Sequence, residues 1–236
     1  RCAMNIRVLA DAGGLAALTA AAAVLAPAVP PAPAEGPQPL APAAGASRQT
    51  VTFQEGVNGY AGTIDIEIWA VAPNTCLEGN PTASADADND GGESQILLRF
   101  EDIIGDKPGQ IPPLSTIHSA TVVVSAFDEG NTVHLHRMLV PWKRTATWNS
   151  LVGGVTADGL EASRKVDSFT FGRISATTSE IPFEVTDTVQ LWANGEPNHG
   201  WVFIDTGTNG WDFYTCEFEE VKQRPKLIVV FTPPEK

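Results

Sequence analysis

Three aspartates at alternate positions are the residues whose spacing most directly suggests chemistry in this chain. Asp86, Asp88 and Asp90 precede a glycine pair, and alternate carboxylates ahead of a glycine turn can converge on a hard cation. The helix-flanked calcium loop also needs a bidentate acid six residues after its glycine, where this sequence has Leu97. We therefore predict a structural calcium site of another kind, with the three aspartates as its ligands. A solvated polar loop is the alternative, because Asp favours turns.

A basic and aromatic cluster within residues 134–148 is the second candidate site. Sugar rings stack on exposed aromatic side chains, and neighbouring cations can contact an acidic sugar. Alternatively, Trp142 and Trp148 are core residues, as aromatics in small sandwich domains usually are. Trp211 and Tyr214 are further aromatic candidates. The residues of the predicted carbohydrate site are His136, Arg137, Trp142, Lys143, Arg144 and Trp148.

Catalytic motifs are not recognisable in the sequence. It contains no Gly-x-Ser-x-Gly elbow, no His-Glu-x-x-His pair and no phosphate-binding loop. His134 and His136 share a face of a predicted strand, so a carboxylate beside them could complete a zinc site. We favour a polar sheet face for this pair, and we expect no enzymatic function.

Charge and cysteine content restrict the possible partners. The chain has 236 residues and a formal net charge of −13, which disfavours nucleic acid because phosphate binding needs a basic face. Anionic polysaccharides are also disfavoured, unless a local basic patch overrides the mean. Cys2 lies in a segment that we expect to be removed. Cys76 and Cys216 then either form a disulfide or remain separate thiols.

The first 48 residues differ from the remainder of the chain. Arg1 and Arg7 flank a start-like Met4, and the apolar, alanine-rich run that follows is too short to cross a bilayer comfortably. We predict a secretory signal-like leader over residues 1–34, with a disordered leader or a retained membrane anchor as the alternatives. Residues 35–48 are predicted to be a Pro/Ala-rich linker. The protein is then secreted or at the cell surface, with no membrane contact after cleavage.

Residues 49–233 are predicted to form one all-β domain. Residues 63–69 alternate between isoleucines and acids, which indicates a half-buried strand. Residues 73–89 are predicted to be a long polar loop, and 96–100 to be a core strand whose Arg99 pairs with a carboxylate. The strand at 116–127 is expected to form a hairpin with 132–140.

The remaining pattern favours an antiparallel, jelly-roll-like β-sandwich with one short helix. Further short strands follow residue 160, and residues 186–193 form the helix candidate. No alternation of strands and helices is present, so a parallel sheet is not expected. The first and last strands, near residues 51 and 230, are expected to be neighbours.

A series of short motifs along residues 50–233 is similar to a known family. The motifs are GGESQILLRF at 91–100, GQIPP at 109–113, IHSAT at 117–121, the pair Trp142 and Trp148, VQLWANG at 189–195, NHGW at 198–201 and RPKL at 224–227. Together they resemble DNRLRE-type domains, jelly-roll-like β-sandwich modules of secreted bacterial and archaeal proteins. Some of these domains resemble the carbohydrate-binding modules found beside alginate lyases, whereas others accompany phosphoesterases or occur in cell-surface proteins. The resemblance implies the fold and an extracellular role, but it does not specify a ligand.

Pattern and resemblance lead to the same expectation. We expect a secreted, non-catalytic β-sandwich module that binds an extracellular polysaccharide or cell-surface glycan. The alternative is a structural or adhesive module that self-assembles or binds cell-surface partners without a sugar groove. A small hydrolase with an unrecognised site is a third candidate.

Overall fold

Residues 47–170 and 178–235 are described by a computed structural model. The predicted leader lies outside these residues, and so does the predicted linker up to residue 46. The described part is an antiparallel β-sandwich, which confirms the predicted fold class. Its helices are all too short or too polar to traverse a lipid bilayer.

The described residues form eleven strands, one α-helix and two short 3-10 turns. The α-helix coincides with residues 186–193, the segment that the sequence predicted to be helical. The strands are β1 (Gln49–Gln54), β2 (Thr63–Trp69), β3 (Thr82–Asn89), β4 (Gly92–Phe100), β5 (Thr116–Asp128), β6 (Val133–Met138), β7 (Ala162–Thr170), β8 (Ser179–Glu184), β9 (Trp201–Asp205), β10 (Trp211–Tyr214) and β11 (Lys226–Thr232), and α1 spans Thr186–Ala193.

Two layers of strands are joined by β3. In the first layer, β5 pairs along one edge with β11 and then β10, and along its other edge with β8. In the second layer, β4 lies between β2 and β9, and β6 lies between β9 and β7. The strand β3 pairs with β10 in the first layer, and its end pairs with β4 in the second.

The terminal strands β1 and β11 pair antiparallel, as the sequence predicted. The predicted hairpin between β5 and β6 is wrong, because β6 pairs with β7 and β9 in the opposite layer. Both edges of β5 are already occupied by other strands, so β6 cannot pair with it. The connection at residues 129–132 therefore crosses between layers.

The predicted polar loop at 73–89 is also wrong over its second half, which forms β3. Ala83 and Ala85 are buried in the core between the layers, whereas Ser84 and Asp86 are half-buried on the opposite side. Alanine and aspartate are both poor indicators of a strand, so their alternation gave only a weak signal. Pairing with β10 supplies the stabilisation that local propensity lacks.

Both faces of β4 are buried. Ile96, Leu98 and Phe100 belong to the main core between the layers. Leu97 belongs to a second hydrophobic cluster on the other side of this layer, together with the three isoleucines of β2. Residues 139–161 contribute Trp142, among others, to this cluster. We call residues 139–161 the flap, because the segment covers the outer face of β4 and β2.

The strand β2 is consequently buried on both faces, and not on one face as its alternation suggested. Its isoleucines lie under the flap, while Asp65 is 3% exposed. Glu67 accepts a hydrogen bond from the Ser84 N–H of β3 at 3.0 Å. The acids of β2 therefore face the first layer and not the solvent.

Adjacent leucines of β4 provide a test of this two-core arrangement. We expect Leu97→Ala and Leu98→Ala each to lower the free energy of unfolding by about 2–5 kcal/mol, because each leaves a cavity in a different buried cluster. Urea unfolding at neutral pH measures both. A cost below about 0.5 kcal/mol for Leu97→Ala, as at an ordinary surface site, would contradict burial under the flap.

Candidate functional site

Trp142, the central aromatic of the predicted carbohydrate site, is only 5% exposed. Its Nε1–H donates a hydrogen bond to the His199 carbonyl oxygen at 2.7 Å. The guanidinium carbon of Arg99 lies 4.6 Å from the centre of its ring. The ring thus belongs to the second hydrophobic cluster and offers no open face to a sugar. The core alternative, and not a stacking platform, describes this residue.

Arg99 ties the flap to β4 and confirms the predicted ion pair. Its guanidinium lies 2.6 Å from a carboxylate oxygen of Glu101. The same side chain donates a hydrogen bond to the Trp142 carbonyl oxygen at 3.1 Å. Because the cation also lies over the indole ring, one residue contributes charge, hydrogen bonding and cation–π attraction to the same contact.

The other residues of the predicted carbohydrate site do not share one surface. His136 is buried, and its Nδ1 lies 2.8 Å from the Ser163 carbonyl oxygen. Arg137 is half-buried on β6. Trp148 is half-buried against Gly154, where a Cβ would lie 2.6 Å from the indole. The exposed residues of the predicted site are Lys143 and Arg144.

The two further aromatic candidates are also packed. Trp211 is 0% exposed and lies in the main core. Tyr214 is half-buried and stacks on Phe218, with ring centres 3.9 Å apart. Neither residue presents a free platform for a sugar ring. Most aromatic side chains of the described residues are buried or half-buried, and Phe169, which is 51% exposed, is an exception.

A pocket of about 390 Å³ opens at the surface of the flap. Trp142 and Lys143 are the two residues of the predicted carbohydrate site that line it. Lys143 is exposed and makes no ion pair with any described residue, whereas Arg144 lies 3.6 Å from the Glu78 carboxylate. The complete lining is Pro141, Trp142, Lys143, Thr145, Ala146, Ser150 and Leu151.

The predicted calcium ligands lie on β3 and the turn that follows it. Asp86 accepts a hydrogen bond from the Asp88 N–H at 2.9 Å, and Asp90 occupies the turn with a φ of 53°. Asp88 and Asp90 are exposed. Calcium binding by these residues stays a prediction.

Asp86 also faces an acid that the sequence did not single out. Asp205, at the end of β9, is 6% exposed, and its Oδ2 has no hydrogen-bond partner. Burial raises the pKa of Asp205 to about 6, and the charge of Asp86 adds to the rise. The hydrogen bond from the Thr206 N–H acts in the opposite direction and lowers the pKa. No sequence pattern indicated that β3 and β9 place these two acids together.

His134 and His136 are neighbours on β6, with ring centres 6.0 Å apart. Burial lowers the pKa of His134, and the nearby His136 lowers it further. Within residues 47–170 and 178–235, no carboxylate or thiol joins this pair in a cluster tight enough to hold a metal ion. His136 is buried and His134 is half-buried, so the sheet face that carries the pair is largely covered.

One such cluster does occur in the described residues, and the sequence did not reveal it. Asp65, Cys216 and Glu217 bring their ligand atoms within 4.8 Å of one another. Cys76 is exposed and Cys216 is buried, and neither forms a disulfide, so separate thiols describe this pair. Burial raises the pKa of the Asp65 carboxyl well above its usual range, and the charge of Glu217 adds to the rise. Burial likewise raises the pKa of the Cys216 thiol, and the charge of Asp65 raises it further.

Comparison with known proteins adds no identification. No family model matches the chain, and no curated protein matches it. The resemblance to DNRLRE-type domains therefore stays a prediction.

Substitution of Trp142 distinguishes a structural role of this side chain from a ligand-facing one. We expect Trp142→Ala to lower the free energy of unfolding by about 3–5 kcal/mol, since it empties the second cluster and removes the bond to His199. Thermal or urea unfolding measures the loss. The control is Lys143→Ala at the neighbouring exposed position, expected to cost less than about 0.5 kcal/mol. An unchanged melting temperature for Trp142→Ala would overturn the core assignment.

The raised pKa of Asp205 predicts a pH-dependent cost to stability. Folded Asp205 keeps its proton to about pH 6, whereas the unfolded residue releases it near pH 4. Its contribution to stability is therefore full below about pH 4 and is lost as the pH rises through 6. We expect Asp205→Asn to gain about 1–2 kcal/mol more over wild type at about pH 8 than at about pH 4.5.

Urea unfolding with a chelator present measures this gain at the two pH values. Asp88→Asn, which changes an exposed acid of β3, is the matched control and should differ from wild type by less than about 0.5 kcal/mol at both. A gain from Asp205→Asn that is the same at both pH values would show that its carboxylate does not titrate as described.

Proposed function

We propose that this chain is a secreted, non-catalytic module that binds extracellular or cell-surface carbohydrate through the flap. The observation that carries the proposal is the pocket of about 390 Å³ at the surface of the flap. Its volume falls within the range of about 300–1,000 Å³ that is usual for small-ligand sites. It is also the place where two residues of the predicted carbohydrate site line one concave surface.

The lining of the flap pocket suits a sugar that carries a carboxylate. Lys143 supplies a cation that no described acid neutralises. Ser150 donates its hydroxyl proton to the Thr147 carbonyl and accepts from the Thr147 N–H, which leaves one lone pair for a sugar hydroxyl. Thr145 adds a second, exposed hydroxyl. Apolar side chains form the remainder of the surface.

Net charge favours selective and not general binding of acidic glycans. The chain carries a formal charge of −13, so most of its surface repels a polyanion. Lys143 is a local exception, whereas Arg144 beside it pairs with Glu78. We therefore expect the ligand to be a chain end or a short uronic acid segment, held at one site in a salt-dependent manner.

Titration of uronic acid oligosaccharides against the purified domain tests this proposal. We expect Lys143→Gln to weaken binding roughly 10-fold, because it removes a charge-assisted contact. Lys222→Gln is the matched control, since Lys222 is an exposed lysine that pairs with Glu220 outside the flap. Calorimetry at low and high salt measures both. Absence of binding to every glycan on a polysaccharide array would overturn the proposal, and so would equal losses for the two variants.

A structural or adhesive role is the second candidate, and one residue of the flap favours it. Val152 is 91% exposed and has a φ of 59°, which is a strained conformation for a β-branched residue. Strained backbone conformations cluster at functional sites, so we assign the exposed valine to partner contact in this second candidate. If the protein binds no glycan and sedimentation shows concentration-dependent self-association, this candidate replaces the first.

A further inference from the structure

The contact between β2 and the segment after β10 contains an arrangement of acceptors that the protein alone does not satisfy. Asp65 lies in the middle of β2, and Cys216 and Glu217 follow β10. The Cys216 N–H donates to Asp65 Oδ2 at 2.8 Å, which fixes the carboxylate against the thiol. The ligand atoms of all three side chains lie within 4.8 Å of one another.

The other carboxylate oxygen of Asp65, Oδ1, is buried at this contact without a hydrogen-bond partner. The residue is 3% exposed, and Oδ1 is buried and makes no hydrogen bond. Thr63 Oγ1, two residues away and on the same face of β2, is also buried and unpartnered. A buried carboxylate oxygen costs several kcal/mol unless a donor or a cation compensates it. A proton on one of the two carboxyl groups is the other way to compensate this oxygen, and a bound cation would displace that proton.

We propose that Asp65, Cys216 and Glu217 bind a thiophilic divalent cation, and that zinc is the ion that fits best. Thiolate and carboxylate ligands together suit zinc. Calcium takes hard oxygen ligands in a shell of six to eight, so a cysteine disfavours it. Tetrahedral zinc places its sulfur and oxygen ligands about 3.3–3.7 Å apart, and the ligand atoms of the cluster all lie within 4.8 Å of one another.

A backbone oxygen beside the cluster can fill the remaining coordination position, and one of the three ligands gives the ion a path from solvent. The Thr63 carbonyl oxygen lies 3.5 Å from Cys216 Sγ and is close enough to contribute to the site. Glu217 is half-buried, so its side chain connects the cluster with solvent. Binding converts the Cys216 thiol to a zinc-bound thiolate and releases its proton to solvent. The bound ion would join β2 of the second layer to the chain leaving β10 of the first.

Cobalt substitution tests the site directly, because a thiolate bound to cobalt gives a charge-transfer absorption in the near ultraviolet. We expect a single equivalent of cobalt to give this band in the reduced, metal-free protein, and zinc to remove it. We expect zinc at about a hundredfold above its Kd to raise the melting temperature by roughly 5–10 °C. Cys216→Ser should abolish the band and weaken zinc binding by more than the roughly 10- to 100-fold typical of an outer-shell change.

The chain offers a matched control, because Cys76 is its other described cysteine and is exposed. Cys76→Ser should keep both the band and the thermal shift. Asp65→Asn and Glu217→Gln should lose the thermal shift, and near-ultraviolet circular dichroism verifies that each variant is folded. A wild-type protein without the band would overturn the proposal, as would a band that depends on Cys76. Stabilisation by calcium but not by zinc would also overturn it.

Discussion

Burial of β4 on both faces is the constraint on which the rest of this structure depends. A strand with one face on a core can leave the other to solvent, but Leu97 is 0% exposed, as are Ile96 and Leu98. Leu97 and the isoleucines of β2 form an apolar surface outside the sandwich, and its exposure would be unfavourable by roughly 1.5–3 kcal/mol per side chain. The flap provides the cover. A segment with little regular structure is therefore part of the hydrophobic core.

The position of Trp142 follows from this constraint. An indole ring fills the space above Leu97, and its polar Nε1–H reaches the His199 carbonyl. Arg99, on the outer face of β4, lies against the ring and bonds to the Trp142 backbone. The flap is thus fixed by its buried side, and a ligand can reach only its outer rim. Lys143, next to the buried tryptophan, lies on that rim.

The sequence predicted the elements with strong local patterns. Both β2 and α1 have the predicted bounds, because alternation and a helical pattern bounded by a stop signal are properties of neighbouring residues. The alanine-rich strand β3 was missed since its stabilisation comes from β10 and β4. Strand pairing depends on residues that are far apart in the sequence. The wrong β5–β6 hairpin shows that a short connection does not determine which strands pair.

Site residues were harder to predict for the same reason. The acids of β2 alternate with isoleucines, which normally places the acids in solvent, and nothing local indicates that both faces are covered. The hydrogen bond from the Cys216 N–H to Asp65 joins residues 151 positions apart. Arg99 was correctly expected to form an ion pair, since a lone cation within an apolar strand requires one. Its second partner, the Trp142 ring, depends on the path of the flap.

Hydrogen exchange of the Trp142 indole proton tests the central claim, that the flap is a fixed part of the core, most directly. The Nε1–H is bonded to the His199 carbonyl and sits on a residue that is 5% exposed. Our account predicts that NMR-detected exchange of this proton is slow and approaches the rate of the amides in the centre of β4, because both exchange through global unfolding. Exchange as fast as that of an exposed loop would show that the flap opens independently, and it would contradict the account.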